Sequence, residues 1–257
     1  MKKIITSVFL TFYGSFLYAQ KPGQGLSAYS LKGKVKEVTE YFYRGKPGEA
    51  DTLHPTNTHV IQLNEDGNVT AELQYTSVGA LKEKAIYDYS IEHMMVVNYF
   101  NAKGDVTSQS VYKFDNDGRE IDVITRSASG YRTRALFKHY HDGKIKEQDG
   151  YTKDDVPNGK ILTSYNENGK LAEQDFVNSD GQLGVKHTIL YDTLKNEVIE
   201  NSLTIKTGVT VRQVRVDSAP DKNNNWQIRA IDITEHSPVN NDDRSISTTI
   251  RRKLVYY

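Results

Sequence analysis

The chain of 257 residues has no cysteine at all, 6 prolines, 3 methionines and a single tryptophan. The missing thiols exclude a disulfide framework, thiolate zinc sites, a cysteine nucleophile and a lipid-modified N-terminal cysteine. An excess of one charge is missing too: 33 Lys+Arg face 33 Asp+Glu. That balance excludes a nucleic-acid binder held by a basic field. Long apolar runs are confined to the N-terminus, and no repeating apolar stripe of helical period follows it. Nucleophile-elbow, phosphate-loop and His-Glu-x-x-His signatures do not occur. Carboxylate pairs such as Glu147 and Asp149 are too common in a chain that is 26% charged to nominate a glycosidase.

The N-terminus has the layout of a secretory signal. Lys2 and Lys3 precede the uncharged run Ile4–Leu17, and Ala19 is a small residue at the expected cleavage point. The run is shorter than the ~20 residues of a membrane span. Residues 1–19 are therefore read as a signal peptide and 20–257 as one repeat domain, with no membrane span in the mature form. Cleavage near Ala19 leaves 31 bases against 33 acids. The expected location is extracytoplasmic, periplasmic or secreted.

What the chain does have is tyrosine, 17 copies, and a recurring phrase of 12–14 residues or its multiples. An aromatic or apolar residue is followed by Asn/Asp, then Gly, then a polar residue and a branched apolar one. Copies occur at Leu63–Val69, Phe100–Val106, Phe114–Ile121, Tyr140–Ile145, Tyr165–Leu171 and Val177–Leu183. A degenerate copy at Tyr191–Val198 has Asn196 where glycine is expected. Gly67, Gly104, Gly118, Gly143, Gly169 and Gly181 supply the positive φ of tight hairpin turns. Asn or Asp before them nucleates the turn through its side chain. Between turns, residues alternate with period two: Val69, Ala71, Leu73 and Tyr75 against Thr70, Glu72, Gln74 and Thr76; Val106, Ser108, Ser110, Tyr112 and Phe114 against Thr107, Gln109 and Lys113. The same holds for Tyr131, Thr133, Ala135, Phe137 and His139, and for Ile246, Thr248, Ile250, Leu254 and Tyr256. The expected fold is all-β: antiparallel hairpin repeats forming one large curved sheet, curled into an open barrel or roll. A long loop is expected at 45–58, and a turn or loop at each of 217–225 and 236–243.

The phrase Tyr165-Asn166-Glu167-Asn168-Gly169-Lys170-Leu171 resembles the YD repeat of RHS-type proteins and the bacterial MORN-like variant repeats. Leu31–Glu40, the turn Asp221–Trp226 and the closing Ile250–Tyr257 resemble the ends of small exported RHS-like proteins. Asn196 and Asn224 depart from the pattern, and the Tyr-Asp dipeptide is intact only at Tyr191-Asp192. The resemblance implies a curved antiparallel sheet and no particular activity.

Candidate ligand contacts are few. Trp226 and strand tyrosines such as Tyr131 offer rings for stacking on sugars. Arg132 and Arg134, with Lys138 on the same strand face and Arg126 nearby, suit an acidic glycan or headgroup. His139 and His141 would share a strand face and offer two imidazoles, without a third ligand in sight. Asp115–Gly118 begins like a calcium loop, but Arg126 stands where the closing Glu belongs. No catalytic, cofactor or metal residue is nominated. The expected function is a non-enzymatic envelope or secreted scaffold or interaction module, with an envelope component or a glycan as partner. The alternatives are a carbohydrate-binding protein using strand Tyr and Trp, or a carrier with an apolar concave face.

Overall fold

A computed structural model describes Tyr29 and residues 31–45, 54–239 and 242–257. The expected signal peptide and much of the expected 45–58 loop lie outside them. The described chain is a run of strands in meander order: β1 Val35–Gly45, β2 Asn57–Leu63, β3 Val69–Thr76, β4 Leu81–Asp88, β5 Met94–Asn101, β6 Val106–Phe114, β7 Glu120–Ser127 and β8 Arg132–His139. There follow β9 Ile145–Tyr151, β10 Pro157–Tyr165, β11 Leu171–Val177, β12 Leu183–Asp192, β13 Glu197–Thr204, β14 Thr210–Pro220, β15 Trp226–Ser237 and β16 Asp242–Tyr256. Each strand pairs antiparallel with the next, and β16 returns to β1 from Val35↔Tyr256 to Gly45↔Ser247, so the sheet closes into a barrel. The expected curved sheet thus closes completely, and closure leaves no edge strand exposed.

The turns obey one rule. Gly67, Gly104, Gly118, Gly143, Gly169 and Gly181 have φ between 71° and 89°, and each donates its N–H to the carbonyl three residues back. The side chains of Asn101, Asp115, Asn166 and Asn178 accept the N–H two residues on. Asn196 and Asn224 take the same left-handed conformation, at φ 55° and 62°. In the 140 turn the phrase slips by one: Tyr140 itself occupies the Asx position, and His139 ends the strand. Of the turn or loop expected at 217–225, residues 221–225 form a tight turn, while 217–220 continue β14.

One device escaped the period-two reading. Several strands carry a β-bulge at their second residue, where the register shifts, at Thr70, Thr107, Ile121, Lys146 and Ala172. An extra residue there puts the first residue of the strand on the opposite face from the one strict alternation assigns. Val69 therefore pairs with Leu63 and is buried, while Ala71, expected beside it, pairs with Gln62 on the other face. Val106 turns outward at 49% exposure. At β7 the bulge buries Glu120 and exposes Ile121.

In a closed single-layer sheet, the face that loses solvent is the inside. Val38, Ile61, Val97, Phe137, Ile161, Val185, Ile189 and Ile250 share that face and are buried. The seam is locked near the start of β1 and the end of β16. Asn225, fully buried, accepts the Lys32 N–H at 2.6 Å and donates to the Lys32 carbonyl and the Tyr256 hydroxyl. Tyr257 donates its hydroxyl to the Leu63 carbonyl at 2.5 Å.

Candidate functional site

The outer and inner walls carry different chemistry. On the outer wall, charged residues pair across strands. Arg134 grips Asp122 through two bonds of 2.8 and 3.0 Å, and Lys113 lies 3.6 Å from the same carboxylate. Lys138 meets Glu147 and Asp149 at 2.6 and 2.9 Å, Lys186 meets Glu173 at 2.8 Å, and Arg132 meets Asp155 at 2.9 Å. Arg132, Arg134 and Lys138 are thus a ladder of neutralised pairs, not the bare cationic row the sequence suggested.

On the inner wall, a buried network crosses the seam. Arg252 donates to Glu40 at 2.6 and 3.0 Å and to the Tyr29 carbonyl at 3.2 Å. His59 bonds Glu72 at 3.1 Å and stands 3.9 Å from Glu40. The Tyr29 and Tyr87 hydroxyls donate to Glu72 at 2.5 and 2.6 Å. Burial alone would push the Glu40 and Glu72 carboxyls up, but their bonds to His59, and to Arg252 or the tyrosines, hold both below the ordinary range. For His59, burial opposes the charged form, yet the two carboxylates lift it to about 9. Beyond Arg252 lies Trp226. Arg252 and Arg229 sit over its ring at 3.5 and 4.0 Å, and Asp217 holds Arg229 at 2.5 and 2.8 Å.

Two further inward clusters involve titratable groups. Glu120 has no hydrogen-bond or ion-pair partner among the described residues, and burial raises its carboxyl to about 8. On β12 and β13, His187 bonds the Ser202 hydroxyl at 2.8 Å and lies 3.6 Å from Glu200. Burial lowers the imidazole and raises the carboxyl. The residue types are those of a hydrolase, but Ser202 sits mid-strand, directly opposite His187. No sharp turn presents backbone donors around its hydroxyl, as an oxyanion site requires. The arrangement is a satisfied polar pair.

The rim where β1 starts and β16 ends also carries the turns at 140–144, 166–170 and 193–196. Tyrosines and lysines interleave there. Tyr140 meets Tyr165 edge-on at 6.2 Å, and their hydroxyls donate to the carbonyls of Thr163 and Ile145, each at 3.1 Å. Lys144 lies over the Tyr165 ring and Lys170 over the Tyr191 ring, at 5.4 and 4.6 Å. Lys144 also packs against Gly169, where a Cβ would come within 3.1 Å of its ammonium, a flexible end that can shift, so the φ of 71° is what calls for glycine. The row ends at the degenerate repeat, in an open groove of about 100 Å³. Lys170, Tyr191, Asp192, Asn196, Arg215 and Asp217 are among its lining residues.

The residues singled out in the sequence do not converge. Trp226 is buried at 8% exposure with guanidinium groups over its ring, so it offers no stacking platform to a sugar. Tyr131 is 52% exposed, in a turn away from the groove. His139 ends β8 and His141 lies in the following turn, so the assumed shared strand face does not exist. No group of three or more His, Asp or Glu side chains is placed for a metal among the described residues. The inner network went unseen because its members come from β1, β2, β3, β4, β15 and β16. Only the motif failure at Asn196 marked the groove in advance.

No family model matches the chain, and no curated protein does. Among solved structures, it resembles a porin-like protein from Bacteroides uniformis ATCC 8492, with a TM-score of 0.60 at 11% identity over 87% of this chain and 98% of that one. At that identity the likeness establishes the barrel fold alone. A second match, to a variant of S. aureus TarM in complex with Fondaparinux, alpha-GlcNAc-glycerol and UDP, has a TM-score of 0.19 at 17% identity. It covers 47% of this chain and 20% of that one, and carries no argument.

Proposed function

We propose that the protein is a non-enzymatic, exported barrel that works in the aqueous part of the cell envelope as a scaffold or binding module. The observation that carries this reading is the outer wall. A barrel that spans a membrane needs an apolar outer band, and an outward Lys or Arg at mid-bilayer costs ~2–4 kcal/mol. Here Lys113, Lys138, Lys160 and Lys186 point outward and stay 41–60% exposed while paired or near acids. The N-terminal signal supports export, and the porin-like fold is consistent with an envelope protein. The seam acids and bases Glu40, Glu72, His59 and Arg252 serve one another, which supports a structural rather than a catalytic role for them.

The inner wall bears on the alternatives. Ser110, Thr163, His187 and Ser202 are buried along it among apolar neighbours such as Val97, Phe137 and Ile189, so the wall is mixed and lacks the continuous apolar lining of a hydrophobic carrier. A glycan reading survives only at the rim, since Trp226 is covered.

Cell fractionation tests the reading. Expressed with its own leader in a Gram-negative host, the protein is expected in the osmotic-shock fluid and to remain soluble without detergent. Retention in outer membranes after carbonate washing, with detergent needed for release, refutes the water-facing barrel.

A further inference from the structure

The rim repeats are near-copies, so the place where one departs from the others is informative. Tyr140 and Tyr165 spend their hydroxyls on backbone carbonyls. The Tyr191 hydroxyl has no hydrogen-bond partner among the described residues. Gly143 packs against the Arg119 stem and Gly169 against Lys144, whereas the corresponding position in the next turn is Asn196, whose side chain reaches instead to the Asp217 carbonyl at 2.7 Å. The degenerate turn thus opens the groove that its neighbours fill.

The groove's polar groups are underused. Arg215 has a buried Nε with no partner, and its nearest carboxylate, Glu200, is 3.8 Å away, too far for a hydrogen bond. The Arg215 guanidinium thus stands within ion-pair distance of one carboxylate without a hydrogen bond to it. Lys170 lies over the Tyr191 ring, and among the described residues it has no acid partner. Asp192 uses one oxygen on the backbone N–H groups of Leu194 and Lys195, leaving the other open. Two unspent cations therefore stand beside unspent acceptors and a free phenol, in a volume of about 100 Å³. By the ~30 Å³ that a water takes up in the liquid, that is room for about three waters, in a groove open to solvent. The space suits one sugar ring rather than an oligomer.

We propose that this groove binds a hexuronate unit, its carboxylate held by Arg215 and Lys170 and its hydroxyls bonded to Asp192, Asn196 and Tyr191. A carboxylate suits the forked donors of a guanidinium, and ring hydroxyls are donors that the acid and amide oxygens accept. The inference deepens the proposed binding role and needs the rim to face water.

Calorimetry on the full exported chain at neutral pH tests it, with glucuronate, galacturonate, glucose and inorganic phosphate as probes. A uronate is expected to bind with Kd on the order of 1 mM and to shift the Arg215 Nε–H resonance, while glucose and phosphate bind at least about tenfold more weakly. Lys170→Ala removes an exposed side chain, so the fold is retained, and it is expected to weaken uronate binding about tenfold. Lys186→Ala on the outer wall is expected to leave binding unchanged. Glucose binding as tight as glucuronate removes the carboxylate from the argument; phosphate binding as tight makes the groove a plain anion site. Either result overturns the proposal, as does silence from both uronates or unchanged binding in Lys170→Ala. None of these results alters the fractionation outcome, so the two readings fail separately.

Discussion

Glu120 shows how one residue's setting governs pH dependence. Its carboxyl is buried without a partner and raised to about 8, whereas the unfolded chain releases that proton near 4.5. A raised carboxyl contributes stability that is complete below the unfolded value and is lost as pH rises towards the folded one. The barrel is therefore expected to weaken between about pH 4.5 and 8 on account of Glu120. His59, raised from 6.5 to about 9, acts with the same sign over the higher window. Glu120→Gln keeps the shape and removes only the first effect. Thermal denaturation should show the variant more stable at pH 8, by on the order of 3 kcal/mol, and nearly equal to the parent at pH 4.5. A parallel pH profile for the two proteins would show that the carboxyl is solvated. The sequence hid Glu120: alternation assigns the inward position to Ile121, and only the bulge reverses the two.

At the level of the hairpin, the turns were legible because their chemistry is local. A positive φ, an i→i+3 bond and an Asx side chain all lie within five residues. What the sequence withheld is that glycine does two different jobs. Gly104 has open space around its missing Cβ, so alanine there meets only the strain of φ 89°. Gly159 has φ 116°, and a Cβ would lie 2.4 Å from the Val177 carbonyl of the neighbouring strand. Urea denaturation should report a loss of about 1 kcal/mol for Gly104→Ala and more than about 3 kcal/mol for Gly159→Ala. Similar losses at the two sites would mean that the β10–β11 approach relaxes freely. The bulges at the second strand residue were illegible for a related reason. They are a property of the pairing between strands, and no residue type announces them.

For the molecule as a whole, closure is the decisive event. Among the described strands, fifteen of the sixteen pairings join sequence neighbours and one joins β1 to β16. That pairing is reinforced by Arg252 with Glu40 and by Asn225, which holds the entering Lys32 backbone against the C-terminal strand. Asn225→Ala leaves buried partners unbonded and is expected to cost about 2 kcal/mol. Hydrogen exchange should then show β1 and β16 losing protection first. Uniform loss around the barrel would place the lock elsewhere.

Much of the architecture was written in the chain as read alone: an all-β succession of antiparallel hairpins and the glycine turns between them. Those features depend on φ preferences and two-residue periodicity, which act over a few positions. The tertiary structure alone decided that the sheet closes, that Trp226 is buried beneath guanidinium groups, that the basic row on β8 is neutralised, and that a failed repeat opens a groove. Each of these depends on which strands become neighbours in space. Closing the sheet fixes an inside and an outside, and the same alternating residues acquire opposite solvents only once that has happened.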